Sequence, residues 1–254
     1  MKIILCVNSD IYGLISLKLL SDFINQHNCL LIFSDKILRK EQQEDLDLLH
    51  FIEQDFLHTM LGKNKESFFS QQLKEFNLSG KTINNINAPE VIEELKIFTP
   101  DIILSVRYGC IIKKPIIDLS RLGVVNLHSG LLPFYRGVIP TFWALLNGDR
   151  EIGSSIHFIN SEAIDAGPII GSNHIQAEPN RSLIWNIASV YQSGIPALLK
   201  ILENIMADHE LLTSPQSNGS YYSFPTQNEI VKFKNSGFRF YDRQDYKDVL
   251  SFLV

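Results

Sequence analysis

The chain has 254 residues, with 23 Lys and Arg against 28 Asp and Glu, a formal net charge of −5 and 45% hydrophobic residues. That length is ample for one large domain with a buried core, and a 20% charged fraction with many Phe, Ile and Leu excludes a disordered chain. The negative charge argues against a general nucleic-acid binder, whose affinity needs a basic surface.

Met1–Val7 is too short for the apolar region and cleavage site of a signal peptide, and polar Asn8-Ser9-Asp10 follows at once. No run of eighteen apolar residues occurs, so no membrane partner is expected. Cys6, Cys29 and Cys110 are far apart and odd in number, which gives no disulfide framework and points to a reducing, cytoplasmic compartment. They read as small buried hydrophobes.

Ile3–Val7 is a continuous apolar run, the pattern of a strand buried on both faces of a parallel sheet. A polar turn and an amphipathic helix from Ile11 follow, then a second buried strand at Cys29–Phe33. This is a β-α-β opening without a GxGxxG, so a dinucleotide reading is weak. Residues 36–80 read as helices with loops, and the acidic stretch from Glu41 to Asp47 as a solvated helix face. A short strand is predicted at Thr82–Asn87 and a helix from Ala88 to Phe98, stopped by Pro100. Strands are predicted at Ile102–Val106, Gly123–His128, Gly153–Asn160 and Ile169–Ile175. Ser182–Ala207 predicts a long helix broken at Gly194 and Pro196. The expected fold is α/β, a mostly parallel Rossmann-like sheet flanked by helices. Residues 1–208 form the main domain, and residues 209–254 a short aromatic-rich C-terminal appendage.

The densest feature is Asn126-Leu127-His128-Ser129-Gly130-Leu131-Leu132-Pro133-Phe134-Tyr135-Arg136-Gly137. Asn126 and His128 stand two apart at a strand end, so period-two geometry sends both side chains to one face. The carboxyl edge of a parallel sheet is where such folds place their sites. A carboxamide beside an imidazole offers a neutral donor for a developing oxyanion and a group that moves protons. Asp165, before the flexible Ala166-Gly167-Pro168 turn, is placed to orient a histidine as the acid of a hydrolytic triad does. His157 alternates with Ile156 and Phe158 and reads as structural or as standing behind the site. His27, His50, His58, His174 and His209 have no motif support and read as surface or packing residues. No His/Cys ligand cluster for a metal is present in the sequence.

These two separated motifs resemble the formyltransferases that use N10-formyltetrahydrofolate, a family that includes glycinamide ribonucleotide, methionyl-tRNA and sugar N-formyltransferases. The resemblance covers roughly residues 1–205 and is strongest from Ser105 to Ile170. It implies the family's mostly parallel sheet and a catalytic set of Asn126, His128 and Asp165. It implies a cofactor strand and loop over Val106–Ile112, with Arg107, Tyr108, Cys110, Ile111 and Ile112, where backbone groups do the binding. Ser161, Glu162, Ala163 and Asp165 match the loop that covers the pterin. The turn after the first strand lacks the Ser-Gly-x-Gly of the purine enzyme, and no large basic C-terminal barrel follows as in the tRNA enzyme. The aromatic tail, Tyr221-Tyr222-Ser223-Phe224 and Phe238-Arg239-Phe240-Tyr241, is similar to short tails of nucleotide-sugar N-formyltransferases. The implied reaction is formyl transfer to the amine of a dTDP-type amino-dideoxy sugar, for surface polysaccharide synthesis, in a cytoplasmic homodimer. Asn8, Ser9, Asp10, Ser129, Gly130, Leu131 and Arg136 are the expected substrate contacts, with Ser129 and Gly130 leaving room for a pyranose and Arg136 offered to phosphate or bracing its loop. The alternatives are a methionyl-tRNA formyltransferase-like enzyme, a formyltetrahydrofolate hydrolase, against which the lack of a preceding regulatory domain counts, and a non-catalytic folate-binding module.

Overall fold

The computed structural model describes residues 1–35, 44–50, 53 and 68–253. The beginning of the acidic stretch at Glu41 and the histidine at 58 lie outside these residues. In chain order the first half gives β1 (Lys2–Asn8), α1 (Ile11–Asn25), β2 (Asn28–Ser34), α2 (Glu44–His50), α3 (Phe68–Glu75), β3 (Gly80–Thr82), α4 (Pro89–Phe98), β4 (Ile102–Val106), α5 (Lys114–Ile117) and β5 (Val124–His128). The second half gives β6 (Arg136–Gly137), α6 (Pro140–Leu146), β7 (Glu151–Phe158), β8 (Ile169–Gln176), α7 (Leu183–Met206), β9 (Tyr221–Tyr222), α8 (Gln227–Asn235) and α9 (Arg243–Leu250).

Seven strands form one sheet in the order β3-β2-β1-β4-β5-β7-β8. The first five are parallel, and β7 and β8 are antiparallel additions. The fold is therefore α/β with a mostly parallel sheet, as the apolar runs at Ile3–Val7 and Ile102–Val106 imply. Both runs are buried along their length, because helices cover both sheet faces. Ile3, Leu5 and Val7 enter the larger core beneath α1 and α7, while Ile4 and Cys6 enter the smaller core with Leu95 of α4 and Ile116 of α5. Strand order reverses between β1 and β4, so a crevice opens at the carboxyl ends of β1, β4 and β5, the usual ligand position in such sheets.

Two elements differ from the sequence expectation. The strand expected over Thr82–Asn87 is β3, Gly80–Thr82, and it ends where the asparagines begin. Asn84 instead accepts from Ser34 Oγ and from the Asp35 N–H, and Asn85 turns back onto the Asn87 N–H, so these side chains compete with a ladder. The helix expected to break at Gly194 and Pro196 runs continuously from Leu183 to Met206. Its buried stripe, from Leu183, Ile184 and Ile187 through Ile195, Leu198 and Leu202, lies on the sheet on both sides of Pro196 and keeps the two halves in register.

The residues after 208 join the larger core rather than standing apart from it. Phe233 of α8 is fully buried, stacked on Phe142 of α6 at 4.5 Å and against Phe238 at 4.9 Å. Tyr246 and Val249 of α9 belong to the same cluster. Phe233→Ala is expected to cost about 3–5 kcal/mol of stability, read from denaturant midpoints. A cost below about 1 kcal/mol, the level of a surface change, would show that α8 does not contribute to this core.

Candidate active site

The register of β5 and β7 builds the site. Val125 and Leu127 point into the larger core, so Asn126 and His128 share the opposite face. Asn126 pairs across the antiparallel ladder with His157. The Asn126 Nδ2 lies 3.0 Å from His157 Nε2. His157 Nδ1 lies 2.9 Å from the Phe158 carbonyl, to which it must donate, so Nε2 is the lone pair that accepts from Asn126. His128 Nε2 donates to the Tyr135 carbonyl at 2.6 Å, which leaves Nδ1 facing Asp165.

Asp165 completes the arrangement. Its Oδ2 lies 3.5 Å from His128 Nδ1, and its Oδ1 lies 3.5 Å from His157 Nε2. The Gly137 N–H donates to Oδ2 at 2.9 Å. Gly137 holds φ of +100°, and the Tyr222 carbonyl occupies the place of a side chain there, so this donor requires glycine. Burial alone would push the Asp165 carboxyl up. The two imidazoles and the Gly137 N–H outweigh burial and hold it at about 2, below the ordinary 3.8.

A cavity of about 320 Å³ opens over these groups, within the size range of small-molecule sites. Arg107, Tyr108, Cys110, Ile111 and Ile112 line one side, and Ser161, Glu162, Ala163 and Asp165 another. The loop after β4 is pinned from behind. Tyr108 Oη donates to the Ile83 carbonyl at 2.7 Å, Cys110 Sγ donates to the Asn84 carbonyl at 3.0 Å, and Asn87 bridges the Ile111 carbonyl and the Lys113 N–H. Asn87 carried no motif signal.

The expected substrate contacts divide. Asn8, Asp10 and Ser129 line the cavity, whereas Ser9, Gly130, Leu131 and Arg136 do not. Gly130 leaves no room for a pyranose: a side chain there would meet Pro140, the Tyr135 carbonyl and His128, so its smallness serves packing behind the imidazole. Ser9 is tied through its N–H to the Ser34 carbonyl. Leu131 packs against the larger core. Arg136 Nε donates to Gln216 Oε1 at 2.9 Å, outside the cavity lining.

Asp10 is engaged on both oxygens. Oδ1 caps α1 by accepting from the Gly13 N–H at 2.9 Å, and Oδ2 accepts from Arg107 Nε at 2.6 Å. Arg107, at φ of +54°, also reaches Glu53 at 3.0 Å and lies over the Tyr12 ring at 4.5 Å. Burial drives Glu53 up to about 7, although Arg107 pulls the other way. The Asn8 Oδ1 is buried and unpartnered. Sequence reasoning missed Glu53 and Tyr191 as cavity residues, which belong to no motif, while Tyr221 and Phe224 of the aromatic tail also line the cavity. No group of three or more potential metal ligands occurs among the described residues. Among them, too, no helix is long and apolar enough to cross a membrane.

An amide donor, an imidazole and an acid thus surround one cavity, a set of groups chemically able to serve acyl transfer. A family model described as formyl transferase matches residues 37–190, and the chain belongs to that family. A curated relative, the methionyl-tRNA formyltransferase of Desulfotalea psychrophila, is 35% identical over 120 residues, covering 47% of this chain and 37% of the relative. The chain thus matches well under two thirds of that relative's length. Among solved structures, a sugar N-formyltransferase from Shewanella sp FDAARGOS_354 superposes with a TM-score of 0.60 at 16% identity, covering 91% of this chain and 86% of that one. The N-formyltransferase from Helicobacter canadensis, in complex with folinic acid and dTDP-3-aminofucose, gives 0.58 at 18% identity, covering 91% and 79%. At these identities the structures establish the fold alone.

The Asp165 geometry generates a pH dependence. A carboxyl with a depressed pKa in the fold adds stability that is full above its ordinary value of 3.8 and is lost as pH falls toward 2. The contribution is about 2 kcal/mol. Between pH 4 and 2, wild type should therefore lose about that much relative to Asp165→Asn, measured by urea midpoints. Parallel curves for the two proteins would remove the two-imidazole contact as its cause.

Proposed function

We propose that this chain transfers a formyl group from N10-formyltetrahydrofolate to a primary amine. The observation that carries the reading is the meeting of Asn126, His128 and Asp165 at one cavity between the Arg107–Ile112 and Ser161–Asp165 segments. Tetrahydrofolate suits these walls: they offer backbone edges for a hydrogen-bonding heterocycle and apolar surface from Ile111, Ile112, Ile159 and Ile164. The bound folate supplies an activated formyl carbon.

The residues then have distinct parts. One hydrogen of Asn126 Nδ2 is committed to His157, and the other is available to the formyl oxygen as negative charge develops there. His157 thereby fixes which way the carboxamide faces. His128 takes the amine proton at Nδ1, since Nε2 already donates to Tyr135, and would return it to the folate nitrogen as the formyl C–N bond to that nitrogen breaks. Asp165 opposes that nitrogen and stabilises the imidazolium that forms.

Two acceptors compete. Curated relatives at 30–35% identity are named methionyl-tRNA formyltransferases, which favours the amine of an aminoacyl-tRNA over the nucleotide-sugar expectation and weighs against the absence of a nucleic-acid partner read from net charge. For an amino-dideoxy sugar on a nucleoside diphosphate, the supporting observation is that Tyr221 and Phe224 of the tail line the cavity, offering ring faces to a base. Incubating the chain and N10-formyltetrahydrofolate with methionyl-tRNA, and separately with dTDP-, UDP- and GDP-amino sugars, decides by the mass gain of one formyl group. Gain on none of them, with folate binding intact, would favour hydrolysis or a non-catalytic module.

Asn126→Ala or His128→Ala is expected to lower kcat by about 10²-fold or more while the circular dichroism spectrum is retained. Wild-type turnover in the folded double variant would overturn the assignment. A saturating tetrahydrofolate analogue should raise the Tm by mass action, and calorimetry showing no binding would remove the cofactor reading.

A further inference from the structure

The C-terminal segment reaches the Asp165 turn through Gln216, two residues after Ser214 exchanges backbone hydrogen bonds with Ile169. Gln216 Nε2 donates to the Asp165 carbonyl at 2.9 Å and to the Gly167 carbonyl at 2.6 Å, while its Oε1 accepts from Arg136 Nε at 2.9 Å. All the hydrogen-bonding capacity of the side-chain nitrogen goes to the backbone of that turn. Asp165 holds φ of +49°, in the left-handed region, which few non-glycine residues enter though aspartate does so more readily than most. Arg136 is itself in β6, which pairs with β9 of the tail, and the adjoining Gly137 N–H grips the Asp165 carboxylate. The same short stretch of the tail therefore fixes the backbone of Asp165 from one side and, through β6, its side chain from the other.

We infer that Gln216 is a positioning residue for formyl transfer: with Arg136 it clamps the Asp165–Gly167 turn so that one carboxylate faces His128 and His157 together. The catalytic effect rests on the formyl-transfer reading; the clamp itself does not. The clamp reaches the reacting groups only through Asp165, so Gln216 touches no substrate. Its loss leaves the Arg107–Ile112 wall in place and lets the carboxylate drift. A displacement of about 1 Å in such a group costs up to 10²-fold in rate.

Two variants separate the clamp from mere packing. Gln216→Ala removes all three bonds. Gln216→Glu keeps the acceptor for Arg136 and strengthens that contact, but presents an oxygen without a hydrogen to the two carbonyls. Both should fold, bind a tetrahydrofolate analogue with unchanged Kd, and lose about 10-fold or more in kcat with little change in KM. Ring-nitrogen NMR titrations give a readout independent of turnover. The charged and titratable groups around Asp165 are His128 from β5, His157 from β7 and, beyond Gln216, Arg136 from β6. Both histidine titrations should shift relative to wild type in both variants. Unshifted imidazole titrations, wild-type kcat in either variant, or failure of both to fold would each overturn the inference. If wild type transfers no formyl group to any acceptor, the functional reading falls, while shifted titrations still establish the clamp and unshifted ones remove it.

Discussion

The site depends on one carboxylate shared by two imidazoles. Asp165 stands 3.5 Å from a ring nitrogen of each histidine. The Gly137 N–H fixes one of its oxygens, so the charge is held between the two rings. The other nitrogen of each ring is tied to a backbone carbonyl, Tyr135 for His128 and Phe158 for His157. His128 is thereby left one nitrogen facing the cavity, whereas both nitrogens of His157 are engaged, Nε2 by the Asn126 amide. The neutral amide of Asn126 is then oriented by a ring that is itself oriented, which makes the donor pre-set rather than adaptable.

A second electrostatic arrangement lies across the cavity. Arg107 is pinned by Asp10 and Glu53 and covered by Tyr12. The two carboxylates outweigh burial and keep its guanidinium charged, with its pKa well above the ordinary value. The cap of α1, the left-handed turn after β4 and the buried Glu53 are fastened at one point, so the crevice at the strand reversal has a rigid floor. The guanidinium acts here as a structural tie between β1 and β4, and the loop beyond it contributes its backbone to the cavity.

The sheet and the pairing of Asn126 with His128 on one face were legible in sequence because each is a local signal. Apolar runs mark the buried strands, and Asn126 and His128 share a face through their spacing alone. Gly194 and Pro196 misled, because a helix held along its length by the sheet tolerates a proline that local propensity forbids. The charge of Arg136 is visible in sequence, whereas its partner Gln216, 80 residues away, is set only by the fold. His157 was visible as a strand residue, but its contact with Asn126 exists only through antiparallel pairing of β5 and β7, which no local pattern specifies. Gln216 sits among Ser, Asn and Gly, where composition suggests a loop and nothing more.

The antiparallel placement of β7 has a consequence for how the protein matures. Asn126 and His157 face each other because the ladder pairs them directly, without an intervening helix or loop. A slip of one residue would turn every side chain of β7 to the other face, replacing His157 with Ile156 or Phe158 beside the amide. Molecules that close the sheet in a neighbouring register would form a similar outline with a mute centre. Specific activity in a refolded preparation therefore counts the fraction of chains that have chosen the right partner across β5 and β7, a quantity that helix content and compactness would both overestimate.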